Sequence, residues 1–326
     1  MCNQISDDIG TLVIEDLEVP TPAADEVLVG IKSCSVNFPD ILMVQEKYQF
    51  KPELPFTPGM EVAGDVLEIG SDVKGVAVGN RVMTSTRIGG YAEAVLAPGS
   101  AVRRIPDALS YDAAAALPAA YNTAYVGLVR RGDLQDGETL LVHGATGGVG
   151  LAAVEMGKLL GATVIATGGT DEKLEVVKSM GADHVFNYTK DDGTQGGFRE
   201  FVKDLTGGRG ADVIYDTVGG DVFDESVRCI AWGGRILIIG FTSGRIPTVG
   251  VNMPLIKGFS IVGVRAGEFG RRNPPLGREN IETVIRWAAE GKLNPHICAK
   301  YPLDGFLDAM KLLADRKVVG KVIINP

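Results

Sequence analysis

The pattern of apolar and polar positions along the chain changes near residue 120. Before it, short alternating apolar runs such as EVLVGIKSCSV (26–36) and EVAGDVLEIG (61–70) are separated by glycine and proline. This pattern is typical of antiparallel strands with little helix. After residue 120, apolar runs alternate with amphipathic stretches at helical spacing, which predicts strands connected by helices. We therefore expect a β domain and an α/β domain.

The second part of the chain contains six strand candidates: LLVHG (140–144), TVIAT (163–167), HVFNY (184–188), DVIYDT (212–217), RILIIGF (235–241) and FSIVGV (259–264). Helix candidates lie near residues 149–160, 171–180, 197–206 and 221–231. Strands that alternate with helical crossovers predict an α/β fold with a doubly wound parallel six-stranded sheet of the Rossmann type. We expect this domain to span residues 120–264.

The last part of the chain shows a third pattern. Two helices are predicted near 277–290 and 304–315, and the strand VVGKVIIN (318–325) follows them. None of these elements carries a nucleotide-binding turn. We expect residues 265–326 to rejoin residues 1–119 in the β domain.

A glycine-rich turn lies between the first strand and the first helix of the α/β region. Leu140 to Gly150 reads LLVHGATGGVG, which places Gly144, Gly147 and Gly150 at three-residue intervals. Glycines allow the backbone to approach a pyrophosphate, and the helix N-terminus offers unpaired N–H groups to it. The alternative is a tight strand-to-helix turn without a ligand, because a lone glycine motif is weak evidence.

The end of the next strand bears on which dinucleotide is bound. NAD-binding versions of this fold carry an acid there, which bonds the ribose 2′-hydroxyl. This chain has Thr167 and Gly168 at that position, and Lys173 follows. The missing acid removes a charge that would repel a 2′-phosphate, and Lys173 can pair with that phosphate. This favours NADPH (NADP+), although Asp171 and Glu172 weaken the argument and Lys173 can equally be a solvated lysine.

Composition and charge narrow the classes of partner. The chain has 326 residues and a formal net charge of −9, which argues against nucleic acid or an anionic membrane surface as the main partner. No signal segment or membrane span is expected from the sequence. The four cysteines include no C-x-x-C pair, so we expect a reducing, cytoplasmic location.

Six motifs carry a family resemblance over nearly the full length of the chain: VNFPD (36–40), KYQFKPELPFTPGMEVAG (47–64), GGYAEAVLAP (89–98), AAALPAAYNTAY (114–125), HGATGGVG (143–150) and VVGKVII (318–324). In this order they resemble the zinc-independent medium-chain dehydrogenase/reductases, specifically the NADPH:quinone oxidoreductase (zeta-crystallin-like) family. The resemblance implies a GroES-like antiparallel β domain, 1–119 with 265–326, beside the Rossmann domain.

The same resemblance argues against a metal. Zinc-dependent relatives use a cysteine in the VNFPD region and a histidine in the TPGMEVAG region, where this chain has Asn37 and Met60. A catalytic zinc usually needs three protein ligands, and two of the chain's three histidines, His143 and His184, lie in the Rossmann half. We therefore expect no metal.

Three residues are implied as catalytic by the resemblance. Asn37 would bond the nicotinamide ribose or the substrate oxygen. Asp40 would act at the site or, as the more favoured alternative, hold its loop by backbone hydrogen bonds. Tyr48 would hydrogen-bond the acceptor carbonyl or donate a proton after hydride transfer, the alternative being a surface aromatic. Glu46 is a departure from the family pattern, because relatives often have glycine there.

The resemblance also implies cofactor contacts. Gly147, Gly148 and Val149 would cradle the pyrophosphate, and Thr123 would contact the nicotinamide side. A 2′-phosphate cluster would comprise Lys173, Tyr188 and Arg316, next to the strand end at Gly168. Phe241, Thr242 and Val264 would line the nicotinamide, although Phe241 and Val264 can equally be core residues. His143 is interpreted as a structural histidine rather than a catalyst.

The functional expectation is an NADPH-dependent oxidoreductase that reduces a quinone or a conjugated carbonyl without metal. The alternatives are an enoyl-thioester (acryloyl- or crotonyl-CoA-like) reductase and a non-catalytic NADPH-binding protein. The expected partners are a small-molecule electron acceptor, quinone or enone, and a second copy of the chain. The homodimer would form through the last Rossmann strand, because an exposed apolar edge strand is a liability.

Overall fold

A computed structural model describes residues 1–190 and 192–326, and the chain divides into two compact units. The first unit comprises Met1–Ala119 and Ile285–Pro326, and the second comprises Ala120–Val284. The division after residue 119 coincides with the predicted one. The second division falls after residue 284 rather than after 264, so residues 265–284 belong with the α/β unit.

Side-chain contacts explain this shift of the boundary. Arg130 donates from Nε to Asn280 Oδ1 over 2.9 Å and forms an ion pair with Glu279 at 2.8 Å. Asn280 is fully buried. The helix over Ala266–Arg272 also contacts the short helix at Asn122–Tyr125. The segment after the last strand therefore packs on the second unit before the chain returns to the first.

The first unit is built on a seven-stranded sheet with the order β12-β13-β1-β2-β3-β5, in which β4 also pairs with β1. All of its pairings are antiparallel except the parallel pair β12–β13. The strands are β1 (Glu26–Val36), β2 (Glu61–Ile69), β3 (Arg81–Ser85), β4 (Ala94–Pro98), β5 (Arg103–Arg104), β12 (Ile297–Pro302) and β13 (Lys321–Asn325). The alternating apolar runs predicted this arrangement, because one face of the sheet packs on the core.

Three α-helices lie entirely within the first unit: α1 (Phe38–Val44), α2 (Tyr111–Ala116) and α11 (Phe306–Ala314). The sequence pattern did not predict α1, because its seven residues are too few to show helical periodicity. It begins directly after Asn37 and has a proline in its first turn, a position where proline is favoured. α1 therefore places Asn37 and Asp40 beside the core of the sheet.

The second unit contains a six-stranded parallel sheet with the order β11-β10-β9-β6-β7-β8. The strands are β6 (Thr139–Val142), β7 (Thr163–Gly168), β8 (His184–Asn187), β9 (Ala211–Asp216), β10 (Ile230–Ile238) and β11 (Ser260–Gly263). This confirms the predicted doubly wound sheet and all six strand candidates. Since every strand is parallel, the six carboxyl ends lie at one edge, and the strand order reverses between β6 and β9.

The helices predicted near 149–160, 171–180, 197–206, 221–231 and 277–290 are present, the fourth of them ending at Ser226, and three further helices in the described part of the second unit were not predicted. The helices of this unit are α3 (Asn122–Tyr125), α4 (Gly148–Leu159), α5 (Asp171–Ser179), α6 (Phe198–Leu205), α7 (Gly220–Ser226), α8 (Asn252–Lys257), α9 (Ala266–Arg272) and α10 (Pro274–Ala289), which crosses the division between the units. Short 3-10 helices lie at Ile9–Thr11 and Leu303–Gly305. Among the described residues, no helix combines the length and apolarity needed to cross a bilayer.

Candidate functional site

The glycine-rich turn lies at the carboxyl edge of the parallel sheet. Gly144 adopts a φ of +61°, and α4 begins at Gly148 with Gly147 as its extended N-cap. No side chain caps this helix, so the N–H groups of its first turn are available to an anion. A Cβ at Gly150 would lie 2.3 Å from Gly144 O, whereas one at Gly147 would meet nothing closer than 3.5 Å. Gly150 is thus required by close packing, and Gly147 leaves room for a ligand.

Residues at the ends of the neighbouring strands are tied to this turn. After β9, Thr217 donates from Oγ1 to His143 O over 3.0 Å and accepts at its carbonyl from Thr242 N at 3.1 Å. Val264 N, after β11, donates to Ile238 O over 3.0 Å. Phe241 is 40% exposed and packs against Gly219. The structure therefore brings Phe241, Thr242 and Val264 to the same sheet edge as the glycine turn.

The other side of the turn is formed by β7 and β8. Gly168 accepts a hydrogen bond from Tyr188 N at 3.1 Å, and a Cβ at Gly168 would lie 2.9 Å from Thr146 Cγ2. Lys173 is half-buried in the first turn of α5. Arg316 belongs to the first unit, where it follows α11 with a φ of +56°. Gly168, Lys173 and Tyr188 thus share the second unit, and no acidic side chain stands at the end of β7.

Thr123 lies in an irregular helical segment. The four residues of α3 are flanked by π-helical turns at Leu117–Tyr121 and Val126–Arg131. The neighbouring Asn122 buries its Oδ1 without a hydrogen-bond partner in the described chain. π-Turns are frequent at functional sites, and a buried acceptor without a donor suits a ligand. Asn122 was not singled out by sequence reasoning, since an asparagine in an alanine-rich segment gives little signal.

A cluster of buried polar side chains surrounds Asn37 in the first unit. Asn37 Nδ2 donates to Glu61 Oε1 over 2.8 Å, and Lys321 Nζ donates to Asn37 Oδ1 over 2.8 Å. Lys321 and Glu61 also form an ion pair of 2.9 Å, with side chains only 6% and 1% exposed. Glu61 Oε2 accepts from Ala119 N at 2.6 Å. Three residues far apart in the sequence thus form one hydrogen-bonded group, the Asn37–Glu61–Lys321 cluster.

Asp40 is placed beside this cluster. Its Oδ2 accepts from Asn37 N over 2.8 Å and from the Tyr91 hydroxyl over 3.1 Å, while its Oδ1 has no partner among the described residues. Burial raises the pKa of Asp40 to about 7, against the lowering effect of these two hydrogen bonds. The side chain has no exposed surface. Its geometry matches a residue that holds the start of α1.

Tyr48 lies on the loop after α1. It is half-buried and packs with Phe50 against the core of the first unit, and the Arg87 guanidinium lies 5.2 Å from the Phe50 ring centre. The Tyr48 hydroxyl has no protein partner in the described part of the chain. Glu46 has a φ of +57°, which is the left-handed region that favours glycine. The loop therefore keeps a glycine-type backbone despite its glutamate.

Sequence reasoning missed Glu61 and Lys321 as members of this cluster. Both are charged residues within strands that are otherwise apolar, GMEVAG and VVGKVII. A charge at a buried strand position needs a partner, and this was the available signal. The partner of each cannot be identified along the chain, because they are separated by more than half of its length.

Two protein-family models match the chain. Residues 23–107 match the alcohol dehydrogenase GroES-like domain, and residues 148–290 match the zinc-binding dehydrogenase model. The second description implies a zinc ion, and the donor set does not fit one. Glu61 is already neutralised by Lys321, and within residues 1–190 and 192–326 no three His, Cys, Asp or Glu side chains are grouped as metal ligands.

Known proteins resemble this chain over its whole length. Quinone oxidoreductase-like protein 2 homolog from Nematostella vectensis is 41% identical, over 100% of this chain and 88% of the relative. A probable oxidoreductase from Mycobacterium abscessus has 37% identity and a TM-score of 0.89, covering 100% and 97% of the two chains. A mycobacterial protein solved in complex with NADPH has 32% identity and a TM-score of 0.87, covering 96% and 95%. The chain belongs to the zinc-independent quinone oxidoreductase family of the medium-chain dehydrogenase/reductases.

Proposed function

We propose that this protein is an NADPH-dependent reductase of quinones or conjugated carbonyls that works without a metal. The observation that carries the proposal is the uncapped glycine turn at Gly147 and Gly148, beside a β7 end at Gly168 that carries no acid. NADPH, when bound, supplies the hydride. The protein contributes binding, orientation and hydrogen bonds.

The second unit would hold the cofactor. The N–H groups of Gly148 and Val149, next to Gly147, would donate to the pyrophosphate at the positive end of α4. Lys173 and Tyr188 would bind the 2′-phosphate, and the role of Arg316 stays a prediction. Residues at the sheet edge and in the irregular helix would line the nicotinamide, namely Thr123, Phe241, Thr242 and Val264.

The first unit would hold the acceptor. Tyr48 would donate its hydroxyl proton in a hydrogen bond to the acceptor carbonyl, stabilising the charge that develops there as hydride arrives. Asn37 would contact the cofactor or the acceptor, and Asp40 would fix the N-terminus of α1. The aromatic ring of Phe50 would stack on a planar acceptor.

The test is consumption of NADPH by the purified protein with benzoquinone or crotonyl-CoA as acceptor and NADH as the control donor. We expect turnover of benzoquinone with NADPH and much less with NADH. Tyr48→Phe should lower kcat by about 10²-fold if the hydroxyl acts as an acid, and Tyr301→Phe, a half-buried tyrosine on β12, is the matched control. Tight NADPH binding without turnover of either acceptor would refute the proposed activity.

The preference for NADPH has its own test. Lys173→Ala should raise the KM for NADPH about tenfold, the size of one charge-assisted hydrogen bond, and leave that for NADH unchanged. Lys178 lies in the last turn of the same helix, so Lys178→Ala is the control and should change neither KM. Equal effects of Lys173→Ala on both cofactors would contradict the assignment.

The alternative acceptor is an enoyl thioester. A solved enoyl reductase has 26% identity and a TM-score of 0.86 with this chain. Turnover of crotonyl-CoA but not of benzoquinone would favour this reading, with Tyr48 as the proton donor. The same assay therefore separates the two acceptor classes.

We also propose a homodimer, formed by pairing β11 with its copy. β11 ends the parallel sheet, and the same unit exposes Trp232 (80%), Val251 (88%) and Leu255 (80%). Burying such a surface and edge removes an aggregation hazard. Light scattering should give twice the monomer mass, and Ile261→Lys should halve it, whereas Val78→Lys in the first unit should not.

The cytoplasmic location stays a prediction.

A further inference from the structure

The buried ion pair of Glu61 and Lys321 is the least expected feature of the first unit. Charged side chains are almost never fully buried, and taking both out of water offsets most of their mutual attraction. Two apolar residues at these positions would hold β2 and β13 together at least as well. The pair therefore calls for a role other than stability, and its shared neighbour is Asn37.

The hydrogen bonds of Asn37 use up its donors. Nδ2 donates to Ser35 O at 3.1 Å and to Glu61 Oε1 at 2.8 Å, which occupies both of its N–H groups. Oδ1 accepts from Lys321 Nζ at 2.8 Å. The Asp40 N–H donates to the backbone oxygen of Asn37 at 3.0 Å, so Oδ1 retains one lone pair. The side chain can therefore accept one more hydrogen bond and cannot donate one.

The charges of Glu61 and Lys321 also fix the orientation of the Asn37 carboxamide, that is, the positions of its oxygen and its nitrogen. A lysine ammonium only donates and a carboxylate only accepts, so Lys321 selects the oxygen of Asn37 and Glu61 selects the nitrogen. With neutral partners, the amide could turn over and present its N–H groups instead. Asn37 itself is 8% exposed, which leaves only a small surface for a ligand.

We propose that Glu61 and Lys321 are positioning residues that hold Asn37 as a pure hydrogen-bond acceptor for a hydroxyl of the nicotinamide ribose. This rests on the proposed function, because it takes NADPH as the cofactor. It excludes Asn37 as a donor to the acceptor carbonyl, since a carbonyl oxygen has no proton to give. That role is left to Tyr48.

The experiment measures binding rather than turnover. Calorimetry gives the Kd of NADPH and of two analogues that lack the 2′- or the 3′-hydroxyl of the nicotinamide ribose. In the natural protein, loss of the contacted hydroxyl should weaken binding about tenfold, the size of one ordinary hydrogen bond. In Asn37→Ala the same analogue should bind within twofold of NADPH.

The positioning role of Glu61 and Lys321 is tested with the same binding measurements. The double variant Lys321→Gln/Glu61→Gln should reduce the tenfold penalty to about threefold or less, because two neutral amides allow the Asn37 amide to turn, whereas either charge left alone still selects one end of it. Lys321→Arg keeps the positive charge and should show the full tenfold penalty. Lys300→Gln is the matched control, since it removes another lysine–carboxylate pair of this sheet, with Asp112 at 2.5 Å, and should keep the full penalty.

The outcomes separate the two proposals. Failure of the natural protein to bind NADPH would overturn the proposed function and this inference together. Normal NADPH binding with no penalty for either analogue would overturn only the contact to Asn37. A full tenfold penalty in Lys321→Gln/Glu61→Gln would overturn the positioning role; if that variant does not fold, Lys321→Met/Glu61→Met decides the same point.

Discussion

The two units bury polar groups in opposite ways. In the second unit, His143 lies beneath the glycine turn between Thr167 Oγ1 and Ser226 Oγ, each 2.8 Å from a ring nitrogen, and burial lowers its pKa to about 3. In the first unit, Glu61 and Lys321 are buried as an ion pair. One site is therefore built from backbone groups and neutral side chains, and the other from charges.

On the proposed function, this difference follows from what each unit would recognise. A pyrophosphate carries its own charge, so backbone N–H groups and a helix dipole suffice to bind it. A neutral ribose or acceptor carbonyl offers no charge, so a side chain must be oriented in advance. The neutral His143 supports the interpretation of a structural histidine, because it has no proton to exchange near neutral pH.

The largest expected effect comes from breaking the ion pair of the first unit. Lys321→Met leaves Glu61 buried without its counter-charge and should lower the free energy of unfolding by about 3–5 kcal/mol. The double variant Glu61→Met/Lys321→Met should recover most of this loss, since no charge is left unpaired. Urea unfolding checks both. An equally unstable double variant would show that the pair supports the fold itself.

A backbone change in the second unit comes next. Gly150→Ala places a Cβ 2.3 Å from Gly144 O and should cost about 3 kcal/mol of stability, because a backbone atom must move. Gly147→Ala meets no atom within 3.4 Å and should keep its stability while weakening NADPH binding. Thermal unfolding with calorimetric titration separates the two effects. Similar stability of both variants would contradict the packing argument.

The charge state of Asp40 makes the first unit sensitive to pH. Its folded pKa of about 7 lies above the unfolded value near 3.8, so the folded protein binds more protons between these values. Stability should therefore fall as pH rises from about 4 to 7, by up to about 1.4 kcal/mol per pH unit for this one group. Asp40→Asn cannot titrate and should lack this part of the decline. The free energy of unfolding is measured in urea at pH 5 and at pH 8. The same change between these pH values in the natural protein and in Asp40→Asn would rule out the effect.

The smallest effect is expected in the loop that carries Tyr48. Glu46→Gly relieves a left-handed backbone and should stabilise the protein by at most about 1 kcal/mol, because glycine also gains freedom when unfolded. Gln49→Gly, at an exposed position of the same loop without a positive φ, should destabilise it by about 0.5–1 kcal/mol. The midpoint of thermal unfolding should therefore rise in Glu46→Gly and fall in Gln49→Gly. A loss of stability in both would mean that Glu46 is not strained.

Particular elements show how much of the fold and of the candidate site could be predicted from the sequence. The six parallel strands and the glycine turn were predictable, because strand periodicity and glycine spacing are local signals. The seven residues of α1 were too short to be recognised. The structure divides the chain after residue 284 rather than after 264, because the segment 265–284 packs on Arg130, which lies far back in the chain. Of the site residues, Asn37 and Tyr48 were singled out and stay predictions.

By itself, the sequence determined the β and α/β halves, the glycine turn, the missing acid at Gly168 and the family. These depend on the order of neighbouring residues. Only the tertiary structure decided that Glu61 and Lys321 meet at Asn37, that its N–H groups are already used, and that Asp40 is sealed from water. The physical reason is that hydrogen bonds and desolvation depend on distances between β1, β2 and β13, which the order of residues does not specify.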